Sequence, residues 1–154
     1  MMLAANIVLA LVWAIMLGSL SLLNLGVGFV AGYLVLVAVG GGRSDYVRRT
    51  SAGGALFVFT CREIIIANLR VAWYTISSLK SLEPAVLAVP LAPDLSDGEI
   101  TLLSLLVTLT PGTLSIDLSR DRRSLYVHFM HVDDAEEAIR SITDGFERRI
   151  LELR

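Results

Sequence analysis

GALFVFTCREIIIANLRVAWYTISSLK, residues 54–80, decides how the rest of the chain is arranged. The stretch is too apolar for a solvated linker and too charged for an ordinary membrane span. If it crossed a bilayer, Arg62, Glu63 and Arg70 would enter hydrocarbon. Each would cost about 2.5–3.5 kcal/mol at mid-membrane on the insertion scale for Asp, Lys and Arg, with Glu taken as similar. Adjacent Arg62 and Glu63 are not expected to face each other on a helix, and Glu63 and Arg70 lie two turns apart, so no i,i+3 or i,i+4 pair offsets that cost. The stretch is therefore expected to be an amphipathic helix at the cytoplasmic membrane interface. Phe57, Cys61, Ile64, Ile65, Leu69, Ala72 and Ile76 can face apolar material, with Glu63, Arg70 and Ser77 on the other face. Trp73 and Tyr74 suit the headgroup layer.

On the N-terminal side, residues 1–42 contain no Asp, Glu, Lys or Arg. One helix of that length would be roughly 60 Å long, about twice the hydrocarbon thickness. The block must fold back, and Gly18-Ser19-Leu20-Ser21 is the break. A two-helix transmembrane hairpin results, with spans over residues 3–17 and 22–39. Small residues recur at helical spacing: Ala10, Ala14 and Gly18 on the first span, Gly28 and Gly32 as a G-x-x-x-G on the second. Small side chains let helix backbones approach closely in lipid, either within the hairpin or against other membrane proteins. Asn6 and Asn24 are expected to hydrogen-bond across helices or to lie at the interface. Arg43, Arg48 and Arg49 follow the block and mark the cytoplasmic side, so both hairpin ends face inward. No basic segment precedes the first apolar run, which argues against a cleaved signal.

On the C-terminal side the composition turns polar. Glu83-Pro84 breaks the helix, and residues 85–91 read as a short strand bounded by Pro90 and Pro93. Ser96-Asp97-Gly98-Glu99 has capping-box spacing and opens a Leu-rich helix to about Leu109 that needs cover on most sides. Pro111-Gly112 stops it. Leu114, Ile116 and Leu118 alternate on a strand, and Leu125, Val127 and Phe129 on a second, making a β-hairpin across a charged turn. Asp133 with Glu136 opens a closing helix whose apolar face is Ala135, Ile139, Ile142, Phe146, Ile150 and Leu153. The fold class is thus a membrane protein with a transmembrane hairpin (1–42), a basic loop and interfacial helix (43–81) and a cytoplasmic β-α-β-β-α domain (82–154). A core of that size alone would be marginal, so the domain should lean on the central helix or on partners.

The chain has 154 residues, a formal net charge of −2 and a single cysteine, Cys61, so it can form no intramolecular disulfide. With a pI near 5.6 it does not read as a nucleic-acid binder. No catalytic constellation, metal-ligand set or cofactor motif is present. His128 and His131 lack further His or Cys, Asp133-Asp134 reads as a helix cap, and no G-x-G-x-x-G or P-loop occurs. Arg120, Arg122 and Arg123 form a solvated basic turn. Glu63 is the carboxylate placed near lipid, either handling an ion or proton or pairing at an interface.

The run Thr108-Leu109-Thr110-Pro111-Gly112-Thr113-Leu114-Ser115-Ile116-Asp117 resembles the E subunit of the multisubunit, Mrp-type Na+/H+ antiporter. Glu63-Ile64-Ile65-Ile66-Ala67-Asn68 is similar to that family's E-(apolar)-x-x-A-N stretch. Leu22-Leu23-Asn24, Leu125-Tyr126-Val127-His128 and Gly145-Phe146-Glu147-Arg148-Arg149-Ile150 agree in order along nearly the whole chain. Where the family commonly carries Asn, this chain has Leu105, so no polar role is carried over there. The resemblance implies an accessory subunit, not an enzyme and without cofactor, in a plasma-membrane assembly exchanging cytoplasmic Na+ (in some relatives K+) for external protons. Its partners would be the other antiporter subunits and membrane lipid. Related subunits occur in membrane-bound hydrogenase complexes, a second setting, and a membrane-anchored ligand-binding regulator is a third reading. Glu63, Asn68, Arg62 and Arg70 are the candidate polar contacts with neighbouring subunits or an ion path. Ala10, Ala14, Gly18, Gly28 and Gly32 are the candidate packing positions.

Overall fold

The computed structural model describes residues 2–40, 45–77 and 82–154. The chain is helical with a small three-stranded antiparallel sheet. It divides into two compact units, residues 1–51 and 52–154. Arg43, and the expected end of the central helix at Ser78-Leu79-Lys80, lie outside the described residues.

In the first unit, α1 (Met2–Met16) and α2 (Leu22–Gly40) carry no charge and are apolar but for Asn6 and Asn24, with Tyr33. α2 contains an 18-residue window, Leu22–Val39, of mean hydropathy 2.2 that is long and apolar enough to cross a membrane, while α1 is shorter. Most of that window is uncovered by the rest of the chain, unlike the core helix of a soluble domain. Gly18 ends α1: its φ of +66° lies in the left-handed region, and a Cβ there would touch nothing. Its part is therefore in the turn, whereas the spacing had put it on the packing face. Asn24 is used there too. Its Nδ2 donates to Ser19 O at 3.0 Å, and Ser21 Oγ accepts the Asn24 N–H at 3.2 Å, capping α2.

α3 runs from Asp45 to Ile76 as one 32-residue helix. It begins well before Gly54, so Arg48 and Arg49 are helical and not part of a basic loop. Asp45 supplies a carboxylate in the first turn, where the helix dipole favours it. Gly53 and Gly54 lower local helix propensity without breaking the helix.

In the second unit the order is β1 (Ala85–Pro90), α4 (Asp97–Leu109), β2 (Thr113–Leu118), β3 (Ser124–Phe129) and α5 (Ala135–Arg140). A π-helical segment, Ser141–Glu147, and α6 (Arg148–Leu151) continue α5. β3 is central, with β1 and β2 antiparallel on either side. Leu125, Val127 and Phe129 point into the core with Val89, Leu103, Val107, Ile142, Phe146 and Ile150. α3 contributes Leu56 to that core and Phe59 to its edge.

Two local devices change the simple periodicities. A bulge between Ser115 and Asp117 shifts the β2–β3 register. Leu114 and Ile116 are exposed while Leu118 packs on the core, so the expected alternation does not keep all three on one face. The wider π turn brings Ile142, Phe146 and Ile150, each four apart, onto the buried side, but leaves Ala135 exposed. α4 is capped as its sequence indicates. Ser96 Oγ accepts the Glu99 N–H, and Glu99 Oε2 accepts the Ser96 N–H at 2.8 Å. Arg154 donates through Nε to Glu99 Oε1 at 2.8 Å and also pairs with Asp94, tying the last residue to the start of α4. The Arg154 guanidinium, with the Ser96 hydrogen bonds, holds the Glu99 carboxyl down at about 2.

Candidate functional site

The first unit offers a seam between α1 and α2. Ala10 and Ala14 are buried. A Cβ on Gly28 would come within 2.9 Å of Ala10 O and Trp13 Cβ, and one on Gly32 would run into Asn6 Oδ1 and stand 3.1 Å from Leu9 Cβ. The two glycines therefore mark the line of closest backbone approach. Asn6 sits on that line, 0% exposed. Its Nδ2 donates to Tyr46 OH at 2.7 Å, linking α1 to the first turn of α3, and Tyr46 meets the Tyr33 ring edge-on at 6.3 Å. Asn6 Oδ1 has no hydrogen-bond partner among the described residues and rests against Gly32. The chemistry of this seam is adhesion between helices.

The second unit contains a crevice of about 350 Å³ between α3 and the sheet-bearing region. From α3 it is lined by Glu63, Ala67, Arg70, Val71 and Tyr74, which recur on one helical face. The turn Thr110–Thr113 forms a second wall, and the segment from Met130 through Glu137 a third. Thr110 and Thr113 are fully committed there. Thr110 Oγ1 donates to Leu106 O at 3.0 Å, and Thr113 Oγ1 lies 2.7 Å from Val107 O and 2.9 Å from Thr110 O. Gly112 adopts φ +89°, and its carbonyl accepts the Met130 N–H at 2.8 Å. The T-P-G-T run is thus a helix terminator that joins α4 to β2 and fastens the turn to the end of β3. Its hydroxyls are tied to backbone carbonyls.

The structure brings Glu63 and Arg70 into the crevice and leaves Asn68 out of it. Glu63, whose side chain is 27% exposed, is paired with Arg62 at 2.5 Å. That corrects the expectation that neighbours on a helix cannot meet: the long, mostly exposed arginine reaches around to the carboxylate. Asn68 is exposed, and its Nδ2 donates to Ile64 O of its own helix at 2.8 Å. Opposite the crevice face, Val58, Ile65, Leu69, Trp73 and Ile76 are exposed. Among the described residues no three His, Cys, Asp or Glu side chains gather to hold a metal.

Two further polar groups are held by specific partners: His131, which the sequence offered as a satisfied histidine and not a metal ligand, and Glu147, which it did not single out. His131 is hydrogen-bonded through both ring nitrogens, to the Glu83 N–H and to Asp133. Glu147 is buried and its Oε1 accepts the Ala92 N–H at 2.7 Å; burial pushes its carboxyl up. A glutamate inside the buried spacing of Phe146 and Ile150 was the available signal for the latter. Arg149, next but one, stacks its guanidinium over the Phe59 ring at 3.8 Å, and Phe59 meets Phe146 edge-on at 5.1 Å. These contacts lock the closing helix to α3.

A family profile described as Na+/H+ ion antiporter subunit matches residues 6–153. The chain is 37% identical over 150 residues to the Na(+)/H(+) antiporter E subunit of Alkalihalophilus pseudofirmus, covering 96% of this chain and 94% of that protein. It is 36% identical over 156 residues to the Na(+)/H(+) antiporter E subunit of Bacillus subtilis, with the same coverage of 96% and 94%. A solved chain from the membrane-bound sulfane sulfur reductase, an archaeal respiratory membrane complex, shares the fold at a TM-score of 0.57 and 22% identity, over 97% of this chain and 96% of that one. The matched span takes in the apolar helix pair from Asn6 onward, the T-P-G-T terminator and the closing helix, and the chain belongs to the Na+/H+ ion antiporter subunit family.

Proposed function

We propose that this chain is a non-catalytic accessory and assembly subunit of a multisubunit Na+/H+ antiporter in the cell membrane. The observation that carries the reading is the near end-to-end match to the E subunits of such antiporters, 37% identical over 96% of this chain. Because the curated relatives are antiporter subunits, the hydrogenase-type and ligand-binding alternatives are not favoured. The partners are the other antiporter subunits and lipid, and the Na+ and H+ are handled by the assembly as a whole.

In this reading, α1 and α2 form a two-pass transmembrane hairpin whose ends face the cytoplasm, supported by the absence of charge before residue 43 and by Arg48 and Arg49 at the start of α3. From residue 54 onward α3 lies at the cytoplasmic interface. The outward apolar stripe of Val58, Ile65, Leu69, Trp73 and Ile76 supports this, with Glu63 and Arg70 turned to the crevice instead. Residues 82–154 form a cytoplasmic platform of β-α-β-β-α order. Ala10, Ala14, Gly28 and Gly32 hold the hairpin together. Glu63, Arg62 and Arg70 set the polar boundary of the platform, and Asn68 contributes from the outward face.

The test is Glu63→Gln in the whole complex, assayed for antiport in inverted vesicles and for recovery of assembled subunits. The expected result is less assembled complex with unchanged exchange per complex. Lost exchange in a fully assembled complex would put Glu63 on an ion path. No change in either quantity would remove Glu63 from the function.

A further inference from the structure

Three segments of the second unit meet at one imidazole. His131 follows β3, and its side chain is 13% exposed. Its Nδ1 accepts the backbone N–H of Glu83, just before β1, at 3.0 Å. A backbone N–H can only donate, so Nδ1 must be unprotonated and the ring hydrogen sits on Nε2. Nε2 in turn lies 3.0 Å from Asp133 Oδ1. Beside it the Val132 N–H donates to Glu83 O at 3.0 Å, so residue 83 is held on both sides of its backbone. The ring also meets Tyr74 of α3 edge-on at 5.2 Å. The neutral imidazole therefore joins the last turns of α3, the entry to β1 and the link from β3 to α5.

A second proton has one place to go, Nδ1, which faces the Glu83 N–H. Two donors would then point at each other, and that hydrogen bond is lost. Histidine is the side chain type whose charge ordinarily changes between about pH 5 and 8. We propose that His131 is a proton-operated latch: the neutral ring holds the Glu83 N–H just ahead of β1, and protonation opens that one of the two tethers on residue 83. The titratable and charged groups around the ring come from each neighbouring element. At the ring itself are the Glu83 N–H before β1, Asp133 on its own loop and the Tyr74 ring on α3, and the crevice that His131 shares is also lined by Glu63 and Arg70 of α3 and by Asp134 and Glu137 at the start of α5. Asp133, 3.0 Å from Nε2, keeps a protonated ring attracted to its side while the bond to Glu83 opens. The device senses protons and translocates none. It rests on this geometry and not on the antiporter assignment.

The full chain in detergent tests it by amide hydrogen exchange, corrected for intrinsic rates, at about pH 5.5 and 8. The Glu83 amide is expected to lose about five- to tenfold of its protection at the lower pH, the scale of one net hydrogen bond. His131→Asn keeps an acceptor oxygen near the Nδ1 position but cannot titrate, so its Glu83 amide should be equally protected at both. Equal protection in the unmodified chain, or pH-dependent loss in the Asn variant, overturns the latch. Nitrogen NMR of the unmodified chain gives an answer even if that variant fails to fold. The ring at pH 8 should carry its hydrogen on Nε2, and a hydrogen on Nδ1 would refute the proposal.

Discussion

The two units keep buried polar groups by different means. In the first, the α1–α2 seam closes because side chains are missing: Gly28 and Gly32 leave room for Ala10, Trp13 and Asn6, and Asn6 Oδ1, against Gly32, has no hydrogen-bond partner among the described residues. In the second, polar groups persist because each has a partner. Glu147 takes the Ala92 N–H, the half-buried Thr113 hydroxyl donates to backbone carbonyls, and buried Thr60 Oγ1 donates to Leu56 O. The contrast follows from the apolar material each unit has to bury. The second unit builds a core from sheet, α4 and closing helix, and that core can shelter a satisfied carboxylate. The first has two helices with most of their surface outward, so its specificity comes from close approach and one amide.

Substitutions separate the two modes. Phe146→Ala should have the largest effect, because it empties the centre of the second unit and removes the ring partner of Phe59. A loss of about 3–5 kcal/mol is expected from large-to-small core changes of this kind, read as a drop in the unfolding midpoint of the full chain. Gly32→Val comes next. Its Cβ would collide with Asn6, and overpacking of this kind costs about 1–3 kcal/mol. The measurement is recovery of the chain in the membrane, with Gly26→Val as the control, since a Cβ there meets nothing. If both glycine variants behave alike, the seam is not held by close approach.

The smallest effect belongs to Glu147→Gln. Burial raises the Glu147 carboxyl in the folded chain above its unfolded value, so the folded state binds more protons in the window between the two. Stability should therefore fall as pH rises through that window and level off above it. The glutamine can still accept the Ala92 N–H and removes the slope. Thermal midpoints should favour the variant increasingly as pH rises from about 4.5 through that window and by a constant amount above it, under about 1 kcal/mol, the scale of one hydrogen-bonded group. A variant less stable than the unmodified chain at pH 8 would mean that the charged form is needed.

Much of the site was legible in residue order because periodicity and punctuation are local. The i,i+4 spacing of Ala10 and Ala14 and of Gly28 and Gly32 anticipated the seam line, though Gly18 went to the turn. The placement of Glu63 and Arg70 seven apart anticipated that they share a face, and both line the crevice. The capping box at Ser96 and the stop at Pro111-Gly112 were plain from turn chemistry. The T-P-G-T run on which the resemblance was read pointed to the relatives without revealing its job, since its hydroxyls act on carbonyls three to six residues back.

The sequence by itself determined the uncharged opening block, the polar and apolar faces of α3, the capped α4 and the family. Each follows from short-range spacing or from composition, which no distant contact is needed to read. Only the tertiary structure decided that α3 is already helical at Asp45, that Arg62 reaches Glu63, that a bulge brings Leu118 onto the core while Leu114 and Ile116 stay outward, and that His131 joins three segments. The bulge is a register shift by one residue and the His131 contacts join groups far apart in the chain, and local pattern carries no information about either; the Arg62–Glu63 pair depends on a side-chain rotamer, which spacing along a helix does not fix.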